Sequence, residues 1–223
     1  DVYKRQTIDR VKALSPIKET EQVIQEIVSA DILTTAVWAD NLSKVAPTIS
    51  EGLYQRFLLS KKRINVLACE NAMFNSEILK KEILKLGQLT EEQLEQVATF
   101  PNTAVDRMVL EDERNGEKVI NIGVNFELAI ERNKLVDPTS LPIKGAEYTD
   151  NLVKYIERKL YIINCGHAWS GYVGAIKGYK VMSDIFADEQ LVEATREVMG
   201  ESASLLIKKY GFAKEDLESY IAV

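Results

Sequence analysis

Asp31-Ile32-Leu33-Thr34-Thr35-Ala36-Val37 is a short run of apolar and β-branched residues that reads as a buried strand. Before it, residues 19–30 carry Val23, Ile24, Ile27 and Val28 at helical spacing. After it comes a second helical pattern over residues 42–59, then another apolar strand, Ile64-Asn65-Val66-Leu67-Ala68-Cys69. Alternation of helix and apolar strand marks a parallel, doubly wound α/β sheet, and such sheets take ligands at the carboxyl ends of their strands. No Gly-x-Gly-x-x-Gly occurs in the chain, so the turn that cradles a dinucleotide phosphate is not visible.

Further along, a helix is expected over residues 76–86, and Thr90-Glu91-Glu92-Gln93 has the form of a capping box. Residues 111–118 read as a charged turn around Asn115-Gly116, a hairpin signal, followed by a strand over residues 119–130. This hairpin is expected to close the sheet domain. Asp137-Pro138 and Leu141-Pro142 punctuate a connecting segment. The expected boundary falls there, with residues 1–145 forming the sheet domain and 146–223 a mostly α-helical C-terminal domain. Within the latter, helices are expected over residues 149–179, 181–186, 191–199, 202–210 and 214–221, with Thr149 or Asp150 as first N-cap and Gly211 as a C-cap.

Composition narrows the function classes. The 223 residues are 46% apolar, enough for a sizeable core, and 28 basic against 34 acidic residues give a net charge of -6. No basic block stands out, so nucleic acid and anionic membrane are not expected partners, and no apolar run reaches the length of a membrane span. Cytoplasm is the expected compartment, with Cys69 and Cys165 as packed, reduced thiols. One histidine and two cysteines are a poor zinc supply, so no metal is expected.

The chemistry-bearing stretch is Lys159-Leu160-Tyr161-Ile162-Ile163-Asn164-Cys165-Gly166-His167, which joins an amine, an amide and the sole histidine. On an α-helix Asn164 lies roughly 140° and His167 roughly 80° from Lys159, so the three share half of the helix surface. Gly166 leaves room for something to approach the backbone. A desolvated lysine can accept an alcohol proton, and an amide and imidazole can donate to the oxygen as it becomes an alkoxide. The plainer reading makes them a solvated lysine, a helix-breaking asparagine and a core histidine. From spacing alone that reading weighs more, since Lys and Asn are common and three residues make a weak pattern.

The surrounding residues add a resemblance. Tyr148-Thr149-Asp150-Asn151-Leu152, Glu157-Arg158-Lys159-Leu160 and Asn164-Cys165-Gly166-His167-Ala168 resemble the signature of the polyol-specific long-chain dehydrogenases and reductases, the mannitol dehydrogenase family. The similarity continues through Ala36-Val37, Ala68-Cys69-Glu70-Asn71, Ala104-Val105-Asp106-Arg107 and Leu206-Ile207-Lys208-Lys209-Tyr210-Gly211-Phe212. The resemblance implies a Rossmann-like sheet domain followed by a helical domain. It further implies metal-free hydride transfer with NAD, NADP not being excluded, between mannitol 1-phosphate and fructose 6-phosphate. Sister enzymes of free mannitol, fructuronate or tagaturonate, and a truncated non-catalytic module, are the alternatives.

By the same resemblance Lys159 is the general base, and Asn164, His167 and Asn71 hold the reacting oxygen. A competing role for Asn71 is an Asx-turn opening the next helix. Asp106 and Arg107 are either a structural ion pair or a polar wall of the substrate pocket, with Arg107 available to a phosphate. Thr35 and Ala36 are the cofactor-side candidates. The family often has Gly where this chain has Trp38. Glu70, acidic beside a strand end, has two readings: a partner behind the site residues or, more often for a lone glutamate, a solvated or capping residue. In the family the glycine-rich turn precedes the part represented here and the similarity stops before the usual C-terminus, so a fragment is expected. The sequence does not indicate an oligomeric state.

Overall fold

A computed structural model describes residues 10–222 and divides the chain into two units. The first runs to Pro101 and takes back Lys134–Pro138; the second comprises Asn102–Asn133 and the chain from Thr139 on.

In the first unit, α1 (Thr20–Ser29), α2 (Leu42–Leu58), α3 (Asn75–Lys85) and α4 (Glu91–Val97) accompany β1 (Ile32–Thr35), β2 (Ile64–Ala68) and β3 (Ala98–Thr99). The strands pair in parallel in the order β1-β2-β3, with Ile32 opposite Asn65 and Ile64 opposite Ala98. Central β2 is buried at every position, as a strand flanked on both faces must be. Leu53, Val66, Leu79, Ile83 and Leu94 form the middle of its core. Gly52 is where α2 meets α1, since a Cβ there would lie 2.5 Å from the Ile27 side chain. Near the end of α2, the buried Arg56 guanidinium donates to the carbonyls of Ile27, Val28, Ala30 and Lys62. It thereby satisfies carbonyls that the end of α1 leaves without helical partners.

These elements follow the sequence pattern closely. The expected helices over 19–30 and 42–59 end within one residue of α1 and α2. The capping box is present: Thr90 accepts from the Gln93 N–H and the Gln93 side chain accepts from the Thr90 N–H.

The second unit opens with a long hairpin, β4 (Thr103–Arg114) and β5 (Glu117–Glu131), turned by Asn115 and Gly116 at φ 56° and 80°. Positive φ at both residues is the backbone of the tight hairpin turn that Asn-Gly favours. The charged segment expected as a loop is in fact paired strand right up to this turn, Glu111 facing Ile120 and Arg114 facing Glu117. The ladder shifts register after Arg107. Strand β6 (Glu147–Thr149) then adds in parallel to β5. Ala129 of β5 packs with Leu152 and Ile156 of the following helix.

The helical run is α5 (Leu152–Arg158), a π-helical turn over Lys159–Asn164, α6 (Cys165–Ile176), α7 (Met182–Phe186), α8 (Glu189–Tyr210) and α9 (Lys214–Ile221). Three expectations change here. The first N-cap is Asn151, because Thr149 is spent in β6. The helix expected over 149–179 is interrupted by the π turn. The two helices expected over 191–199 and 202–210 are one helix of 22 residues, since Gly200 sits inside it with open space at its Cβ position and needs no break. Asp188 caps α8 by accepting from the N–H groups of Gln190 and Leu191, and Gly211 ends it at φ 69°.

Candidate functional site

The amine, amide and imidazole sit on a backbone that the sequence did not announce. Across Lys159–Asn164 the helix opens into a π turn, and the Cys165 N–H reaches the Leu160 carbonyl five residues back. A residue five places on in such a turn comes nearer to the starting side than in an α-helix, so the angle between Lys159 and Asn164 is smaller than the roughly 140° of the regular helix. Three α-helical steps of about 100° then bring His167 back to within about 60° of Asn164. The expected angles are thus replaced by a tighter alignment, for the physical reason that one residue is added to the turn.

Lys159 is half-buried, and its amine donates to the backbone carbonyl of Val105 on β4 at 2.8 Å. Asn164 is half-buried. His167 is exposed on α6, its ring edge-on to Phe186 of α7 with centroids 6.3 Å apart. The room left by Gly166 is taken by protein: a Cβ there would lie 2.8 Å from the Met199 sulfur of α8. Its role is close helix packing, which corrects the expectation of an open approach to the backbone.

Around this turn lies a charged and aromatic cluster. Asp106 follows Val105 and faces Glu127 across the hairpin ladder. Like charges directly opposite on a ladder repel, and each carboxylate here has its own partner. Asp106 accepts from the Tyr220 hydroxyl of α9 at 2.6 Å, while Glu127 pairs with Arg158, the residue before the π turn. The Arg158 guanidinium is buried over the rings of Tyr220 at 4.4 Å and Tyr155 at 4.9 Å. Burial first, and then the bond to Asp106, push the Tyr220 phenol far above its ordinary value.

Arg107 points its guanidinium over the Phe126 ring at 5.1 Å and is exposed. Asp106 and Arg107 are neighbours on a strand and so take opposite faces; the described partner of Asp106 is Tyr220.

In the first unit, the candidate residues lie at the carboxyl ends of β1 and β2. Thr35 is buried and donates to Glu70 at 2.9 Å, and the Val37 N–H donates to the other Glu70 oxygen at 3.0 Å. Glu70 is therefore a buried strap between the two strand ends, against the expectation of a solvated or capping residue. The signal was an acid two residues after a wholly buried strand, with a hydroxyl ending the neighbouring one. Ala36 and Asn71 are exposed. The helix after Asn71 begins at Asn75 with Phe74 as N-cap, so the expected start at residue 76 with Asn71 opening it gives way to a start made by Asn75, whose amide donates to the Glu70 carbonyl. Trp38 is 83% exposed with φ 69° and ψ 141°, a backbone region natural to glycine. Nothing in the sequence announced that Tyr220 would meet Arg158 and Asp106.

Among the described residues no three His, Cys, Asp or Glu side chains stand together as metal ligands, and no helix is long and apolar enough to cross a membrane.

Comparison with known proteins gives the family of the chain. Residues 2–143 match the mannitol dehydrogenase Rossmann domain and residues 151–223 the mannitol dehydrogenase C-terminal domain. The chain is 37% identical over 215 residues to the mannitol-1-phosphate 5-dehydrogenase of Arthrobacter sp. (strain FB24), covering 96% of this chain and 56% of the relative. To the enzyme of that name from Geobacillus thermodenitrificans (strain NG80-2) it is 35% identical over 219 residues, 98% of this chain and 57% of the relative. The chain thus spans little more than half the length of these relatives.

The fold is shared with substrate-free D-sorbitol dehydrogenase, with a TM-score of 0.70 at 17% identity over 86% of this chain and 52% of that one. It is shared too with Pseudomonas fluorescens mannitol 2-dehydrogenase in ternary complex with NAD and D-mannitol, TM-score 0.64 at 19% identity over 83% and 47%. With its α/β sheet unit followed by helices and both family domains matched along its length, the chain belongs to the mannitol dehydrogenase family.

Proposed function

We propose that this chain serves a cytoplasmic, metal-independent dehydrogenase that interconverts mannitol 1-phosphate and fructose 6-phosphate. The observation that carries the reading is the Lys159 amine, which donates to the Val105 carbonyl from the π turn that also carries Asn164. The names of the relatives support the substrate.

In the oxidation, the Lys159 amine takes the proton of the substrate hydroxyl as the carbinol carbon gives up its hydrogen as hydride. Asn164 and His167 donate to the oxygen while it carries alkoxide charge, and Asn71 is the further amide that the family resemblance offers for this task. In the reduction Lys159 returns the proton. NAD supplies the hydride acceptor. The carboxyl ends of β1 and β2, with small, exposed Ala36, fit the edge on which doubly wound sheets take a dinucleotide. Thr35 acts there through Glu70, by shaping the strand ends. Arg107, exposed and cationic, is assigned to the substrate phosphate, and Asp106 to holding the pocket wall.

The test is a spectrophotometric screen of the full-length protein with NADH or NADPH against fructose 6-phosphate, fructose, fructuronate and tagaturonate, beside Lys159→Met. The expected result is NADH oxidation selective for fructose 6-phosphate, lost in Lys159→Met with substrate binding retained. Full activity of Lys159→Met would overturn the lysine assignment. Preference for fructose or a keto-uronate would overturn the substrate.

A further inference from the structure

The π turn that carries Lys159 is held from behind by groups that lie outside the proposed chemistry. Arg158 ends α5 where the π turn begins, so whatever fixes its guanidinium fixes the origin of that turn. The guanidinium is fixed by Glu127 on β5 and by the Tyr220 and Tyr155 rings. Its Nε is buried and finds no acceptor among the described residues. A buried cation with one donor unsatisfied is retained at some cost in stability, which a purely packing role would not require. On the opposite strand, the Tyr220 hydroxyl holds Asp106, and the carbonyl that receives the Lys159 amine belongs to the residue before it.

Both carboxylates of the Asp106 and Glu127 ladder pair are thus bound by groups tied to the lysine's surroundings, one through the backbone of β4 and one through the start of the π turn. Tyr220 also lies under Arg158, so the two devices share a ring.

We infer that Tyr220 and Arg158 are positioning residues that aim the Lys159 amine, Tyr220 by fixing β4 at Asp106 and Arg158 by fixing the first residue of the π turn. The inference deepens the proposed function and rests on Lys159 being its proton-transfer group. Neither side chain is assigned to touch substrate. Tyr220→Phe keeps the ring under Arg158 and deletes only the hydroxyl. Arg158→Lys keeps the charge and loses the planar group that stacks on the rings and pairs with Glu127.

The experiment has two readouts on the full-length protein. The first is the rate at which an amine-specific reagent, trinitrobenzenesulfonate, labels Lys159, located by peptide mass spectrometry with exposed Lys144 as internal reference. With the fold intact by circular dichroism, Tyr220→Phe is expected to raise Lys159 labelling several-fold and leave Lys144 unchanged. The second is steady-state turnover: kcat is expected to fall about tenfold or more with KM within about twofold, because a misaimed proton acceptor costs the transition state and not the bound ground state.

Arg158→Lys is expected to move both readouts the same way. If Arg158→Lys does not fold, Tyr220→Phe decides alone, its ring being retained. Unchanged labelling and unchanged kcat in folded Tyr220→Phe overturn the inference. Changed labelling in a protein whose wild type turns over no polyol or ketose would sink the activity and leave the positioning intact, so the two failures are distinguishable.

Discussion

The Thr35 hydroxyl donates to the Glu70 carboxylate at 2.9 Å, joining the carboxyl ends of two adjacent parallel strands through a side chain that is 4% exposed. The second Glu70 oxygen accepts from the Val37 N–H, which lies beyond the end of β1. Truncating Glu70 to Ala would leave a buried hydroxyl and a backbone N–H without acceptors. The expected loss is about 3 kcal/mol, against about 1 kcal/mol for Thr35→Val, where one neutral donor is removed. Urea unfolding of the two variants measures this, and equal effects would mean the Val37 bond carries nothing.

Trp38 allows a test in which the usual order of residues is inverted. At φ 69° and ψ 141° its Cβ is strained, and at 83% exposure its indole contributes little burial. Ala keeps the Cβ in that conformation and Gly removes it. Trp38→Gly is expected to be more stable than Trp38→Ala by about 1 kcal/mol, the opposite of their order in a helix or strand. Thermal melts of the pair decide it.

How far the sequence could be read depended on the range of the interaction. The Thr90 capping box, the Asn115-Gly116 turn and the Gly211 C-cap are settled by residues within four or five positions, and each appears where the pattern put it. The π turn has no such signature: Leu160, Ile162 and Ile163 suit either helix, and the extra residue is decided by what the turn packs against. Arg158 and Tyr220 meet Glu127 and Asp106 only because strands separated from them by tens of residues return beneath α5 and α9. Glu70 misled for a related reason, since an acid after a strand is ordinarily solvated and only the neighbouring strand end makes it a strap. The expected division into helices over 191–199 and 202–210 failed in the opposite way, since α8 runs through Gly200 unbroken.

Alkaline stability follows from the phenols of the second unit. Burial first, and Glu147 next, push Tyr155 from 10.0 up to about 12, and Tyr220 is pushed up further by burial and Asp106. A raised folded value means that the folded protein keeps a proton which the unfolded chain releases. This stabilisation is complete below the ordinary value of 10.0 and is lost as pH rises through the folded value, about 12 for Tyr155. Chemical unfolding followed between pH 9 and 12, roughly spanning that window, should show stability falling. Tyr155→Phe and Tyr220→Phe should each flatten the fall, and a slope unchanged in both would remove the phenols as its cause.

Acid acts through other groups. Asp188 is held below the usual carboxylate range, first by the Leu191 N–H that it caps and then by Tyr179 and Lys177. Asp150 is lowered by Arg132, and Glu157 by Lys209. Depressed carboxylates add stability that is present above their unfolded values and lost as pH falls through their folded ones. The second unit should therefore lose stability as acid titrates through the carboxylate range. Asp188→Asn, which can still accept at the cap but carries no charge, should lessen the dependence while keeping α8 helical by circular dichroism. If Asp188→Ala and Asp188→Asn melt alike at neutral pH, the cap bonds do not hold the start of α8.

Two glycines of the helical unit separate packing from propensity. At Gly174 of α6 a Cβ would lie 2.2 Å and 2.6 Å from the outer carbons of Ile185, a side chain of α7 that is 3% exposed. Ile185 has little room to yield, so Gly174→Ala must push α7 away, at an expected cost of about 2 kcal/mol. At Gly200, inside α8, nothing lies within 4 Å of the added carbon. There the methyl only narrows the unfolded ensemble and suits the helix, and Gly200→Ala is expected to stabilise by about 1 kcal/mol. The double variant should show the sum of the two effects, since the residues lie on different helices and Ile185 is placed to meet only the first. Denaturant midpoints of the two single variants moving in the same direction would mean that Gly174 is not the close-contact point between α6 and α7.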